Sequence, residues 1–378
     1  MSVPEQELLA RAALSRLVEP GDPRLAVLVA DLGAARVYSL LREQREVNGV
    51  LTDVAARLSS IDPARDLELA DRVGVRFVVP GDGEWPTQLD DLAAATPVQE
   101  RGGVPLGLWV RGPVRLDGLG ESVAVVGSRS ATTYGADQAV DIAAASARAG
   151  FTVVSGAAFG IDQAGHRGAL AAEGQSVAVL ACGADRAYPD AHRPLIDHLA
   201  RKGAVVSEAA PGCAPTRLRF LSRNRLIAAL TRGTVVVEAA VRSGALNTAN
   251  WAARLNRPLM GVPGPVTSAP SQGVHQLIRS GAATLVTSGS EVLEMLGASG
   301  DHLVEVPRGR ARSRDRLTLR DQQVLDAVPV GRGVGADSVS RAAGIGLMEV
   351  GSALGRLLAK GLVEQDEDGW RLAALAHT

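Results

Sequence analysis

Ser122-Val123-Ala124-Val125-Val126-Gly127-Ser128-Arg129 reads as a short buried strand that runs straight into a glycine turn, with a helical pattern resuming near Tyr134. A strand, a tight turn and a helix in that order form the place where a doubly wound α/β sheet grips phosphate. The turn is not G-x-G-x-x-G. Arg129 stands where a dinucleotide fold wants its second glycine, the one that lets backbone approach a pyrophosphate. A long cation at that point suits phosphates that arrive from outside, such as those of a nucleic-acid strand.

The same alternation continues to about Leu296. Strands are expected at Val123–Val126, Thr152–Val154, Val177–Leu180, Ala204–Ser207, Thr234–Glu238 and Leu259–Val262, with a short one at Ala283–Val286. Their near-continuous Val/Ala/Leu runs imply burial on both faces, hence a parallel sheet. Helices fit Ala136–Ala149, Gln163–Ala172, Pro194–Lys202, Arg223–Leu230, Ala245–Leu255 and Val274–Ser280. The expected fold class is α/β, an extended Rossmann-like parallel sheet with right-handed crossovers. A small helical domain precedes it and a winged helix follows.

In such a sheet ligands bind beyond the carboxyl ends of the strands. Those ends carry Gly127-Ser128-Arg129, then Ser155-Gly156-Ala-Ala-Phe159-Gly160-Ile-Asp162, then Cys182-Gly183-Ala-Asp185 with Tyr188-Pro189. They continue with Ser207-Glu208 and Phe220-Leu-Ser222-Arg223-Asn224-Arg225 opening a helix, then Glu238 with Ser243-Gly244-Ala-Leu-Asn247-Thr248, and Pro263-Gly264. Small residues bare backbone N–H groups, and each following helix adds a positive N-terminal end. Arg129, Arg223 and Arg225 add fork-shaped donors for phosphate oxygens. Phe159, Tyr188 and Phe220 fall in the same loops, in a chain with only 3% aromatics. Aromatics beside arginines suit single-strand stacking, worth about 1–3 kcal/mol per base. Plainer readings stand beside these. Asp162 and Ser222 also read as helix N-caps, Tyr188 and Phe220 as loop-core plugs, and Glu238 as an internal partner of an arginine.

Composition bounds the alternatives. The chain has 378 residues, 46% hydrophobic content and a net charge of −1, enough for two or three domains and against a uniformly basic surface. Lys202 and Lys360 are its only lysines, and neither completes G-x-x-x-x-G-K-[ST], which excludes a P-loop ATPase. The six histidines are scattered and His166 reads as structural. There is no H-E-x-x-H, Cys-x-x-Cys or G-x-S-x-G, so no metal, cofactor or catalytic nucleophile is expected. Cys182 and Cys213 read as two reduced thiols. The acidic start and the lack of an apolar run near 18 residues argue against a signal peptide and a membrane span.

Four segments are expected. Residues 1–70 read as a SAM- or helix-hairpin-helix-like domain and 71–298 as the Rossmann-like domain. An arginine-rich linker covers 299–317, and a winged helix covers 318–378. The third helix of that winged helix offers only Arg356 and Lys360, against Glu349, and the wing carries Glu364-Gln-Asp-Glu-Asp368. An acidic wing repels phosphate, which favours a protein contact or a dispensable role over DNA reading.

These residues together resemble the DprA/Smf DNA-processing proteins. The resemblance rests on Gly127-Ser-Arg129, Ser155-Gly-Ala-Ala-Phe-Gly-Ile-Asp162, His166-Arg-Gly-Ala-Leu170, Tyr188-Pro189, Ser207-Glu208 and Arg223-Asn-Arg-Leu-Ile227. Val237-Glu238, Ser243-Gly-Ala-Leu-Asn-Thr-Ala249, Val262-Pro-Gly264, Gly273, Leu277-Ile278 and Gly281-Ala282 complete it, over about Val75 to Leu296. It implies a cytoplasmic bacterial protein without turnover that binds single-stranded DNA, works as a homodimer and loads the RecA recombinase in natural transformation. DNA-contact positions carry over to Gly127, Ser128 and Arg129, to Ser155–Asp162 and to Arg223-Asn224-Arg225. The chain departs from the family at Asp190 and His192, where lysine and asparagine are common, and at Leu221, where proline follows the phenylalanine. The competing reading is a phosphoribohydrolase-like enzyme using Glu238 and the Ser243-Gly244…Thr248 turn. Its tighter P-G-G-x-G-T-x-x-E loop is absent here.

Overall fold

The computed structural model describes residues 3–44, 49–50, 54, 57–298, 300–304 and 313–377. Contacts divide the chain into two compact units, Met1–Val304 and Glu305–Thr378.

The first unit begins with helices α1 (Glu5–Leu17), α2 (Pro23–Leu32), α3 (Ala34–Arg42) and α4 (Pro63–Arg72). Asp22 caps α2 through the amides of Arg24 and Leu25, with Pro23 at the first helical position. The sequence has apolar helical spacing from Leu25 to Leu41, and the structure forms two helices there, parted at Gly33. The apolar helical spacing that the sequence has again from Val50 to Leu58 falls largely outside the described residues. No structural break separates residues 1–70 from the sheet: Ala12 and Ala70 share a buried cluster with Trp109, Val205 and Leu199.

Nine strands form one sheet among the described residues: β1 (Val75–Val78), β2 (Leu108–Arg111), β3 (Ser122–Val126), β4 (Thr152–Ser155), β5 (Ser176–Leu180), β6 (Ala204–Ser207), β7 (Gly233–Val236), β8 (Leu259–Gly261) and β9 (Thr284–Leu285). Their order is β1-β2-β6-β5-β4-β3-β7-β8-β9. From β6 to β9 every pair is parallel, while β1 and β2 join antiparallel at one edge. β3 to β7 are buried along their whole length, as their valine-rich runs require.

The crossovers are α5 (Thr133–Arg148), α6 (Ile161–Ala171), α7 (Arg193–Lys202), α8 (Arg217–Leu230), α9 (Ala245–Arg254), α10 (Gln272–Arg279) and α11 (Gly289–Leu296). One core layer gathers Leu226, Ile227 and Leu230 of α8 with Trp251 of α9 against Ala124, Val126 and Val236. The other gathers Ile142 and Ala143 of α5 with Ile161 of α6 against Val123, Val125 and Val235. The chain winds from β3 outward to β6 and then returns to place β7 against the other side of β3. That reversal is the topological switch point, where a doubly wound sheet opens a crevice at its carboxyl edge.

The second unit has its own core of Val324, Val339, Val350, Leu354, Leu357 and Leu362. It comprises α12 (Leu319–Ala327), α13 (Ala336–Ala343), α14 (Leu347–Ala359) and the antiparallel hairpin β10 (Val363–Asp366) and β11 (Gly369–Leu372), with a bridge from Val334 to Trp370. Arg356, one of the two cations expected on the third helix, is bound to the buried Asp321 at 2.6 Å. Leu347 and Met348 at the start of that helix are exposed. Of the expected linker, residues 299 and 305–312 lie outside the described residues.

Candidate nucleic-acid interface

At the switch point the β3 turn is fixed by backbone. The Ser128 amide donates to the Glu238 carbonyl at 2.7 Å, and the Ile161 amide donates to the Ser128 carbonyl at 3.1 Å. The Glu238 carboxylate is buried and accepts both the amide (2.9 Å) and the hydroxyl (2.5 Å) of Thr132, which caps α5. Glu238 is therefore a fastener of the loop, not a free acid or base. Its partner is a helix-capping threonine, and among the described residues no arginine pairs with it.

The β4 turn lies beside it. Gly160 adopts φ +77°, a left-handed conformation that glycine reaches without steric cost, and this brings its backbone against Ser128 and Arg129. Asp162 does not cap α6, whose N-cap is Gly160. Its buried carboxylate accepts the Gly156 amide at 3.1 Å. Burial pushes that carboxyl above the ordinary aspartate range, against the pull of Arg223 and of the Ala158, Gly156 and Gly127 amides. Gly156 exists for close approach, because a Cβ there would occupy the space of the Arg223 guanidinium. Ser155 is fully buried and donates to the Val125 carbonyl at 2.6 Å.

α8 begins at Arg217, not at Arg223. Thr216 caps it by accepting the Arg219 amide. Phe220 to Arg225 therefore lie inside the helix, and Ser222 is not a cap. Arg223 turns inward, only 6% exposed, and donates to the Val179 carbonyl at 2.6 Å. Burial lowers its pKa to about 10, with Asp162 opposing the shift and the charge of Arg129 adding to it, so the guanidinium stays charged at neutral pH. Arg129 is exposed and its guanidinium carbon sits 4.8 Å from the centroid of the Phe220 ring; that of Arg223 sits 5.8 Å from the same centroid. Both distances are cation–π contacts. Tyr188 completes the patch, 5.7 Å from Phe220. Phe159 is held edge-on by the buried His192 at 4.5 Å, and His192 bonds the Ala157 carbonyl.

A groove of about 750 Å³ runs over this patch. Of the residues read from the sequence, Gly127, Ser128, Arg129, Asp162, Tyr188, Phe220, Arg223, Asn224, Ser243, Gly244 and Thr248 line it. Gly156 and Phe159 line an adjoining recess of about 50 Å³ with Arg129, Tyr188 and Phe220. Thr248 is 2% exposed, and the Asn224 amide donates to Asn247 and the Gly244 carbonyl, so both serve the floor.

Arg225 does not join the patch. It is fully buried and donates to both Glu208 oxygens at 2.6 and 2.7 Å, and to the carbonyls of Gly103 and Ser222. Its charge is spent inside the protein, so the trough expected from three arginines has two of them, Arg129 and Arg223. Two exposed arginines that the sequence reading passed over, Arg217 and Arg242, line the groove instead. The signal for each was its position, immediately after the helix cap Thr216 and immediately before Ser243-Gly244. Among the described residues no cluster of three or more His, Cys, Asp or Glu is arranged to hold a metal.

A doubly wound α/β sheet with two arginines against one aromatic ring over its switch point defines an α/β protein with a cationic, aromatic-lined groove at the carboxyl edge of its sheet. Residues 76–297 match the family described as DNA recombination-mediator protein A, and the chain belongs to that family. A Mycobacterium tuberculosis (strain H37Rv) relative is 42% identical over 367 residues, covering 96% of this chain and 94% of its own. The DNA processing protein DprA of Streptococcus pneumoniae (strain R6) is 42% identical over 171 residues, 45% of this chain and 60% of its own. The X-ray structure of Streptococcus pneumoniae DprA superposes with a TM-score of 0.64 at 28% identity, covering 79% of this chain and 100% of that one. DNA processing protein A from Helicobacter pylori shares the fold, with a TM-score of 0.51 at 24% identity over 58% of this chain and 95% of that one. Among the described residues no single helix is long and apolar enough to cross a membrane.

Proposed function

We propose that the chain binds single-stranded DNA along the switch-point groove, without sequence preference and without turnover. The observation that carries this is the Arg129 guanidinium laid on the Phe220 ring, with Arg223 close to the same ring. The arginines meet phosphates while Phe220, Tyr188 and Phe159 offer π-faces to successive bases. Duplex DNA keeps its bases stacked inside and cannot use those rings. The solved Helicobacter pylori protein, which has the same fold, is described as having a single-stranded DNA binding mode. Membership of the recombination-mediator family extends the proposal: a cytoplasmic homodimer delivers the bound strand to the RecA recombinase during natural transformation. Nothing favours a phosphoribohydrolase, since Glu238 is tied to Thr132.

Titration of a fluorescent poly-dT oligonucleotide tests the binding. Saturable binding that weakens with salt and exceeds duplex binding is the expected result. In Arg129→Ala, affinity falls alike on all sequences, and the slope of log affinity against log salt flattens by about 0.7, the value of one single-strand phosphate contact. An absence of saturable binding at low salt overturns the proposal. Light scattering reads the dimer, and strand-exchange assays with RecA read the loading.

A further inference from the structure

α8 has two working faces. Arg217, Phe220 and Arg223 turn toward the groove. Arg219 and Ser222 turn away from it, onto the corner between α1 and α2. There Arg219 donates from Nε and one terminal nitrogen to the two oxygens of Glu19, both at 2.8 Å, and from the other terminal nitrogen to the Ala214 carbonyl at 2.6 Å. The Ser222 hydroxyl donates to the Pro20 carbonyl at 2.6 Å, and the Gly21 carbonyl in turn takes the Gly102 amide at 3.0 Å. Two consecutive residues, Glu19 and Pro20, thus clasp the first two turns of the helix that presents Phe220. The Glu19–Arg219 pair is bidentate, and the Arg219 side chain is 15% exposed, a geometry stronger than an ordinary surface ion pair.

We propose that Glu19 is a positioning residue for the DNA groove. Held through Arg219, it fixes the first turn of α8, so that Phe220 and Arg217 stand ready for the strand. The inference rests on the groove being the single-stranded DNA site. It also runs against simple electrostatics. Glu19 is an anion, and Glu19→Gln removes its charge and frees a guanidinium, changes that on charge alone favour a polyanion. A positioning role requires the opposite sign.

The test compares wild type, Glu19→Gln and the exchanged pair Glu19→Arg with Arg219→Glu. Three readouts are used: affinity for a dT oligonucleotide across a salt series, thermal midpoint, and hydrogen exchange of the Arg219–Ser222 amides without DNA. Glu19→Gln is expected to weaken binding by about threefold to tenfold, the worth of a good partly buried pair. The salt slope stays unchanged because no phosphate contact is lost. Exchange at the first turn of α8 rises, and the exchanged pair restores both affinity and protection. Unchanged or tighter binding with only a lowered midpoint overturns the inference, and so does unchanged exchange. Were the wild type itself not to bind DNA, the groove proposal would fall on that arm, and the exchange arm would still judge the clasp.

Discussion

Arg225 donates two hydrogen bonds to Glu208, and the arginine does not reach solvent at all. Removing either partner strands a buried charge, which costs about 3–5 kcal/mol. Arg225→Ala and Glu208→Ala should each lose about that much in urea or guanidinium unfolding; a loss below about 1 kcal/mol would contradict the burial described. His166 makes a separate prediction. Its Nδ1 lies 2.7 Å from the Ser176 hydroxyl, and burial, then the charge of Arg223, then His192, depress its pKa from 6.5 to about 3. The unfolded chain takes up a proton below pH 6.5 that the folded chain refuses until about pH 3. Stability therefore falls as pH drops through that window, by up to about 1.4 kcal/mol per pH unit. Urea midpoints measured from neutral pH down to about pH 5 should show the decline in wild type and a flatter profile in His166→Asn. His166 read as structural, and its burial agrees, but the burial of Arg225 was not legible in the chain. The pattern Arg-Asn-Arg looks alike at 223 and 225, and the partner that separates them, Glu208, arrives from the end of another strand.

At the scale of elements, the parallel strands were legible because burial on both faces leaves runs such as Ser122–Val126 and Ser176–Leu180 almost without polar interruption. The start of α8 was not. Over Arg217–Arg225 the helix packs a groove face, a clasped face and the sheet, so polar and apolar residues alternate with no single apolar stripe. The cap was in plain sight as Thr216, whose hydroxyl takes the Arg219 amide at 3.2 Å. Thr216→Ala should cost about 1 kcal/mol of stability by thermal or chemical unfolding. Arg76-Phe-Val-Val-Pro80 and Gly107-Leu-Trp-Val-Arg111 read as two strands from their apolar runs, but the pairing onto β6 was not legible, because nothing local in Leu108–Arg111 names a partner.

At the scale of the whole molecule, residues 305–378 have a separate hydrophobic core, and the groove is lined entirely from the first unit. A chain lacking 305–378 should fold and bind a dT oligonucleotide with affinity within about twofold of the full chain. A larger loss by anisotropy titration would give the second unit a direct part in holding DNA. The acidic β10–β11 turn and the engaged Arg356 both favour the first outcome.

The return of β7 to the side of β3 also sets when the lining of the groove is complete. Arg129 follows β3, whereas Arg217, Phe220 and Arg242 lie on segments that precede or follow β7, so the ribosome finishes one wall of the cleft long before the other. If the groove holds DNA as proposed, a half-translated polypeptide lacks the second wall with which to seize a strand, and oligonucleotide capture then reports that the full sheet has assembled.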